Sequence, residues 1–434
     1  MTRVITYGTY DLLHYGHINL LKRAKELGDY LIVGVTADDF DKRRGKINVQ
    51  QSLTERIENV RKTGLADEII VEEYEGQKID DIKNYNVDIF TVGSDWEGKF
   101  DYLNEYCKVV YLPRTEGVSS SEIREHIRSV RVGVVGYSQF INKFVRESRY
   151  VNGMCISGIY TAKPEIVENK EVLLFGSYEA LLEKSDAVYL RSEPSKHYIQ
   201  IKEALSKGKH VLCESPVTLS RSETEELFSI AKEKKLVLME AIKTAYATAF
   251  NRLLLLVKSG HIGEVVSIDA TCTSLNDDNR TDWNGIYEWG PTALLPVFEL
   301  LGTEYRKHDI VSRIIDGKDT FTKIDFVYDK AVASIKVGDG IKSEGELVIS
   351  GTKGYIYVPA PWWKTDYFEI RYENQNNNKR YFYQLDGEGI RNEQLTFIRM
   401  INTDSQVNNI SLNTTKCLSL IMEEFVDNSI LIRI

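Results

Sequence analysis

The feature that most restricts the fold is a strand–helix alternation that runs from the first residues and then starts afresh at residue 131. In the first pass, residues 4–7, 30–35, 68–71, 88–92 and 109–111 read as strands, and 18–27, 53–63, 79–84 and 121–128 as helices. Such alternation calls for a parallel sheet covered by helices on both faces. In the second pass, residues 132–135, 154–160, 187–190, 210–213 and 236–239 read as strands, the later ones each preceded by helical pattern. That is a second doubly wound unit, and almost no linker separates it from the first. Beyond about residue 262 the texture changes. Segments 265–274, 322–327, 331–337, 345–350, 354–358 and 367–372 look like strands with few helices between them, which suggests an antiparallel sheet. Residues 374–379 form a polar hairpin or loop, and the last helix lies near 414–428. The expected class is α/β, with domains at 1–130, 131–250 and 251–434. The first two are Rossmann-like, and the third is an α+β domain with an open antiparallel sheet.

Charge and cysteine usage narrow the function classes. The 434-residue chain carries a net charge of -9 and has a pI near 5.5, so it lacks the broad basic footprint of a nucleic-acid binder. Basic residues gather locally, as in Lys42-Arg43-Arg44-Gly45-Lys46, which suits a small phosphorylated ligand. The five cysteines are dispersed and none has metal-ligand spacing, which fits a reducing, cytoplasmic setting. No apolar run has the length to span a bilayer, and the opening residues read as a strand rather than a signal peptide.

The first strand runs into Gly8-Thr9-Tyr10-Asp11-Leu12-Leu13-His14-Tyr15-Gly16-His17, which opens the first helix. A helix N-terminus presents unpaired amides and partial positive charge, and so receives phosphate. Two imidazoles three residues apart can face one anion there, and Gly16 lets the backbone come close. In nucleotidyl transfer the protein chiefly positions groups and stabilises charge. The pattern therefore points to histidines that donate hydrogen bonds to α-phosphate oxygens as charge builds.

Two further motifs follow: Gly93-Ser94-Asp95-Trp96-Glu97-Gly98-Lys99-Phe100, and Tyr111-Leu112-Pro113-Arg114-Thr115-Glu116-Gly117-Val118-Ser119-Ser120. With the first, they make residues 1–129 resemble the cytidylyltransferase family (HxGH superfamily), and glycerol-3-phosphate cytidylyltransferases in particular. The resemblance implies catalytic roles for His14, His17, Lys46 and Arg114. It implies nucleotide contacts for Gly8, Thr9, Tyr10, Gly16, Arg44, Asp95, Thr115, Ser119 and Ser120, and an acceptor-side role for Asp11. Arg44 stands where the family places a lysine, and Gly64 where it places an arginine. Arg56 matches a family arginine that is structural or near the nucleotide. Ser119 and Glu122 also fit a capping box, which is compatible with an anion site. The resemblance implies CTP with Mg2+, a polyol phosphate acceptor, and CDP-glycerol for teichoic-acid-like or capsular polymers. Ethanolamine or choline phosphate is the alternative acceptor.

The second pass opens with Val132-Gly133-Val134-Val135-Gly136-Tyr137-Ser138, a strand and glycine turn that lack the later glycines of a dinucleotide fingerprint. The second strand ends in Tyr160-Thr161-Ala162-Lys163, without an acidic residue for an NAD ribose. Together with Lys207-Gly208-Lys209-His210-Val211-Leu212-Cys213-Glu214, residues 131–430 resemble the glucose–fructose oxidoreductase, inositol dehydrogenase and rhizopine-catabolism family (Gfo/Idh/MocA). The family's Glu-Lys-Pro motif stands here as Glu214-Ser215-Pro216, and its helix Asp and His have no evident counterpart near Trp289-Gly290-Pro291-Thr292. The resemblance implies Gly133, Gly136, Glu214 and His197 as contacts for an NAD(P) cofactor, and Lys243, just past the strand at 236–239 expected to neighbour the one ending at Glu214, is placed to reach the same pocket. The expectation is a cytidylyltransferase fused to an oxidoreductase-like module and assembled as a homodimer or higher homo-oligomer. That module either reduces a sugar or keto phosphate to the polyol phosphate, or serves as a non-catalytic scaffold.

Overall fold

A computed structural model describes residues 2–13, 15–37, 40, 49, 51, 53–74, 76–113, 129–275, 283, 285–383, 385–403, 408–427 and 430–434. They group into two compact units, Met1–Ser129 and Val130–Ile434.

The first unit is built on β1 (Arg3–Gly8), β2 (Tyr30–Thr36), β3 (Glu68–Glu72), β4 (Ile89–Gly93) and β5 (Lys108–Leu112). All pair in parallel, in the order β3-β2-β1-β4-β5. Strands covered on both faces read as near-continuous apolar runs, and these do. Successive side chains alternate between two cores. Val4 and Leu31 meet Leu21 of the helix Tyr15–Lys25 and Val60 of the helix Leu53–Lys62. Ile5 and Ile32 meet Ile82 of the helix Gln77–Asn84 on the opposite face. Gly34 is required by close approach, since a Cβ there would lie 2.2 Å from the Tyr7 ring. The freed space lets Tyr7 cross the sheet and donate to Asp81 at 2.8 Å. Strand order reverses between β1 and β4, and a crevice at the carboxyl ends of such strands is where this architecture binds ligands.

The second unit starts with β6 (Val130–Gly136), β7 (Met154–Tyr160), β8 (Ala187–Arg191), β9 (His210–Glu214) and β10 (Leu238–Ala241), again all parallel, in the order β10-β9-β8-β6-β7. Its order reverses between β6 and β8. The nine strands that follow are β11 (Val265–Ser274), β12 (Lys307–Ile315), β13 (Lys318–Val327), β14 (Val332–Asp339), β15 (Leu347–Gly351), β16 (Tyr355–Val358), β17 (Tyr367–Arg371), β18 (Lys379–Phe382) and β19 (Leu431–Arg433). They form one sheet in the order β18-β17-β16-β15-β11-β14-β13-β12-β19. This sheet is mixed rather than wholly antiparallel, because β11–β14 and β12–β19 pair in parallel.

The helix Gly285–Leu301 packs on β11, β13 and β14 and has no counterpart in the sequence reading. Pro291 and Pro296 lie inside it and each removes a helical hydrogen bond, which hides it from propensity. Burial of Leu294, Leu295, Val297 and Phe298 outweighs that loss. Its start is fixed by Asp319, whose carboxylate accepts the Ile286 amide at 2.6 Å. Among the described residues, no helix is long and apolar enough to cross a membrane.

Candidate functional site

In the first unit, the carboxyl end of β1 leads into a loop in which Tyr10 (φ 51) and Leu12 (φ 49) both take left-handed backbone. Each such residue costs roughly 1–2 kcal/mol, a strain that persists only where surroundings over-determine it. Arg56, fully buried, supplies the restraint. Its Nη1 donates to the Thr9 carbonyl at 2.6 Å and the Thr36 carbonyl at 2.8 Å, and its Nε donates to the Gln51 carbonyl at 3.2 Å. Gln51 completes the clamp: its amide donates to Asp11 Oδ1 at 2.9 Å, and its Oε1 accepts the Leu12 amide at 2.8 Å. One arginine thus ties the exits of β1 and β2 together and fixes the approach to the first helix.

His17 stands in the first turn of that helix, its ring edge-on to buried Tyr10 at 5.5 Å between centroids. Gly16 precedes it. A Cβ on Gly8 would lie 3.0 Å from the Tyr10 ring, so glycine gives that ring its seat. Asp95 is exposed in the short turn Ser94–Trp96 directly after β4, across the strand-order reversal from Gly8 and Thr9. His17, Gly8, Thr9, Tyr10, Asp11, Gly16 and Asp95 therefore gather at one sheet edge. His14, Arg44, Lys46, Arg114, Thr115, Ser119 and Ser120 lie outside the described residues, as do Glu122 and the helix expected over 121–128.

Two features of this edge were not read from the sequence. Gln51 carries no motif signal, because its role depends on meeting Asp11 and Leu12 from a distant segment. The other is a small cleft of about 60 Å³ bordered by Gly8, Thr36, Trp96 and Phe100. Within it, Lys78 forms a buried ion pair with Glu72, and its ammonium lies 4.6 Å from the Tyr7 ring centre. Thr36 donates to the same carboxylate at 2.9 Å.

The second unit holds a cavity of about 1050 Å³ that crosses the carboxyl ends of β6, β8, β9 and β10. Arg191, at the end of β8, sits where the strand order reverses. Its guanidinium lies over Phe140 (4.6 Å) and Trp283 (4.7 Å) and pairs with Glu288 at 3.1 Å and Glu214 at 3.5 Å. Tyr189 donates to Glu214 at 2.5 Å. Burial pushes the Glu214 carboxyl above its usual range, and Arg191 pulls against that shift. Glu214 and Lys243 both line the cavity. Lys163, just past β7, lines it too. Arg191 and Glu288 were missed, since no fingerprint marks a buried arginine meeting carboxylates from two other segments.

The remaining expected residues stand apart from the cavity lining. Gly133 faces the helix Tyr178–Lys184, where a Cβ would lie 2.7 Å from Leu181 and from Ser185. Gly136 makes the turn out of β6, and a Cβ would lie 2.6 Å from Ile141 and 3.2 Å from the Arg191 carbonyl. His197 is fully buried, with Nδ1 2.9 Å from the Pro216 carbonyl and Nε2 2.9 Å from the Ser192 carbonyl. Burial pulls it down to about 4. The indole of Trp283 also donates to the Ser192 carbonyl, so that oxygen faces two ring nitrogens.

The parallel sheet, the strained turn at its carboxyl edge and the helix-start histidine define a nucleotidyltransferase domain. Residues 5–126 match the cytidylyltransferase-like family, and residues 130–242 the NAD-binding Rossmann fold of the Gfo/Idh/MocA oxidoreductase family. The chain is 51% identical over 130 residues to the glycerol-3-phosphate cytidylyltransferase of Bacillus subtilis, covering 29% of this chain and 98% of that protein. It is 48% identical to the Staphylococcus aureus enzyme of the same name, over 29% of this chain and 96% of that one. Through its first unit the chain belongs to the glycerol-3-phosphate cytidylyltransferase family; its second unit carries an oxidoreductase-family Rossmann domain. The fold of the second unit is similar to that of a 3-ketoreductase from Actinomadura kijaniata, solved with NADP and TDP-benzene. That likeness has a TM-score of 0.62 at 19% identity and covers 71% of this chain and 99% of that one.

Proposed function

We propose that the first unit transfers CMP from CTP, taken as its Mg2+ complex, to glycerol 3-phosphate, giving CDP-glycerol and pyrophosphate. The carrying observation is the Arg56–Gln51 clamp, which holds Thr9–Leu12 strained and seats Tyr10 beside His17 at the strand-order reversal. Near-complete coverage of relatives with this named activity supports the acceptor. An acceptor phosphate oxygen attacks the α-phosphorus in line, and the bond to the pyrophosphate oxygen breaks. His17, with His14, donates to the α-phosphate oxygens as charge develops. Lys46, Arg44 and Arg114 neutralise the phosphates, Gly8 and Gly16 admit them, Asp95 accepts from the cytosine amine, and Thr115, Ser119 and Ser120 hold the outer phosphates. Pyrophosphate release from CTP against a panel of polyol phosphates, glycerol 3-phosphate, ethanolamine phosphate and choline phosphate tests this. Preference for glycerol 3-phosphate is expected; preference for either amine ester overturns the acceptor assignment.

For the second unit we infer an NADP-binding module that reduces a sugar or keto phosphate to the polyol phosphate used by the first. Three observations fit the cofactor: the cavity crosses the β6/β8 reversal, Gly136 allows a close turn, and Lys163 stands where an NAD enzyme needs a carboxylate. Bound there, the reduced nicotinamide of NADPH would supply a hydride to the carbonyl carbon while the carbonyl oxygen takes a proton from solvent water. Substrate-dependent NADPH oxidation is the expected result. No dinucleotide binding and no oxidation would leave the non-catalytic scaffold instead. The boundary near residue 250, a cytoplasmic location and a homo-oligomeric state belong to the same proposal.

A further inference from the structure

One part of the large cavity is strongly basic. Among the described residues the lining holds seven lysines and arginines against four glutamates, in a chain whose net charge is -9. Two of those glutamates, Glu214 and Glu288, share the single guanidinium of Arg191. The excess is concentrated on three lysines from separate segments. Lys143 is on the helix Phe140–Ser148, Lys243 opens the turn after β10, and Lys364 ends the short turn Trp362–Lys364.

All three ammonium groups converge on one carboxylate. Glu388 pairs with Lys143 at 2.6 Å, Lys243 at 2.8 Å and Lys364 at 3.2 Å. Burial alone would push Glu388 up, but Lys143 and Lys243 outweigh it and hold the carboxyl at about 2. Glu388 is presented by strained backbone, with Gly387 (φ 62), Glu388 (φ 54) and Gly389 (φ 90) all left-handed. A Cβ on Gly389 would lie 2.4 Å from the Lys243 carbonyl, so that glycine is needed to bring the loop against the lysine. The lysines line the cavity, and Glu388 is not part of its lining. The carboxylate therefore stands behind the ammonium groups and holds them in register.

Three ammonium groups on one carboxylate leave a positive excess among these four side chains. A phosphate monoester carries about -1.5 to -2 at neutral pH and accepts through three oxygens. Each ammonium has three donors, of which Glu388 engages at least one. We propose that Lys143, Lys243 and Lys364, held in register by Glu388, form the receptor for a phosphate monoester bound in the cavity of the second unit. The monoester belongs to a small phosphorylated substrate, since Lys163 past β7 stands apart from these three lysines at the position that would face a dinucleotide 2′-phosphate. The proposal shares its cavity with the reductase reading above but does not require hydride transfer.

Lysine-reactive footprinting of the full chain, read by mass spectrometry, reports these sites separately from the phosphate-binding first unit. Dihydroxyacetone phosphate and glycerol 3-phosphate are the substrate-type probes, NADP against NAD is the cofactor arm, and glycerol with matched chloride is the control. Protection of all three lysines by the triose or glycerol esters is the expected result; protection by NADP but not NAD, with none by the small esters, would overturn the assignment to a small substrate. Lys364→Gln, at the most exposed of the three, should weaken the protecting ligand roughly tenfold. Glu388→Gln should strengthen it several-fold, because it removes a competing negative charge and keeps a polar partner. Absence of protection by every phosphate ester, equal protection by glycerol, or weakening by Glu388→Gln equal to that of Lys364→Gln would overturn the proposal. NADPH oxidation, measured alongside, reads turnover independently.

Discussion

Replacing Arg56 with lysine isolates the clamp in the first unit. Arg56 makes three hydrogen bonds to carbonyls of Thr9, Thr36 and Gln51 at 2.6, 2.8 and 3.2 Å, and it is fully buried. Lysine keeps the charge but replaces a planar fork with a point, so it can serve the Thr9 and Thr36 carbonyls only by leaving Gln51. Losing one charge-assisted bond removes about 1.5–3 kcal/mol. A local loss near 2 kcal/mol should speed amide exchange at Leu12 and Gln51 about 30-fold, since both amides depend on the clamp. Misplacement of the Thr9–Leu12 turn by about 1 Å should lower turnover on the order of 10²-fold. Hydrogen exchange read by mass spectrometry and pyrophosphate release measure the two effects on one sample. Faster exchange with undiminished turnover would refute the argument that this strained turn positions the reacting groups. Unchanged exchange would refute the clamp itself.

Three further outcomes follow from other contacts. Lys78→Met strands Glu72 in a buried site and should destabilise the first unit by about 3–5 kcal/mol; Lys78→Met with Glu72→Gln should recover much of that loss in urea unfolding. Gly136→Val places a side chain against Ile141 and the Arg191 carbonyl, and should cost about 1–3 kcal/mol and weaken any NADP binding measured by fluorescence titration. Burial raises Asp319 to about 6, so the folded chain holds a proton that the unfolded chain releases near 3.8. Stability should therefore fall, by at most about 3 kcal/mol, as pH rises from about 4 through 6. Asp319→Asn, which can still accept the Ile286 amide, should flatten that slope in unfolding midpoints measured across the window.

Much of the architecture was legible because strands buried on both faces must be apolar throughout, as in Val4–Ile5 and Leu31–Ile32. The strand expected over 236–239 lies at Leu238–Ala241, because Lys235 (φ 55) and the Leu236 amide, bonded to Ala231, still belong to the preceding helix end. The helix Gly285–Leu301 was hidden by its two prolines. The two parallel pairs in the large sheet depend on long-range order that local alternation does not encode. Around the sites, motifs singled out His17, Asp95 and Glu214, and the expected strand neighbourhood singled out Lys243. Sequence could not show Arg56 reaching three carbonyls, or Lys143, Lys243 and Lys364 meeting Glu388, because those residues become neighbours only in the fold.

The claim that the first unit transfers nucleotidyl groups at the β1/β4 edge is tested most directly by acceptor-dependent pyrophosphate release from CTP in the His17→Ala chain. The account expects glycerol 3-phosphate to drive release in the parent chain and the variant to lose on the order of 10²–10³ in rate while keeping its fold. Turnover of the variant close to that of the parent would contradict it.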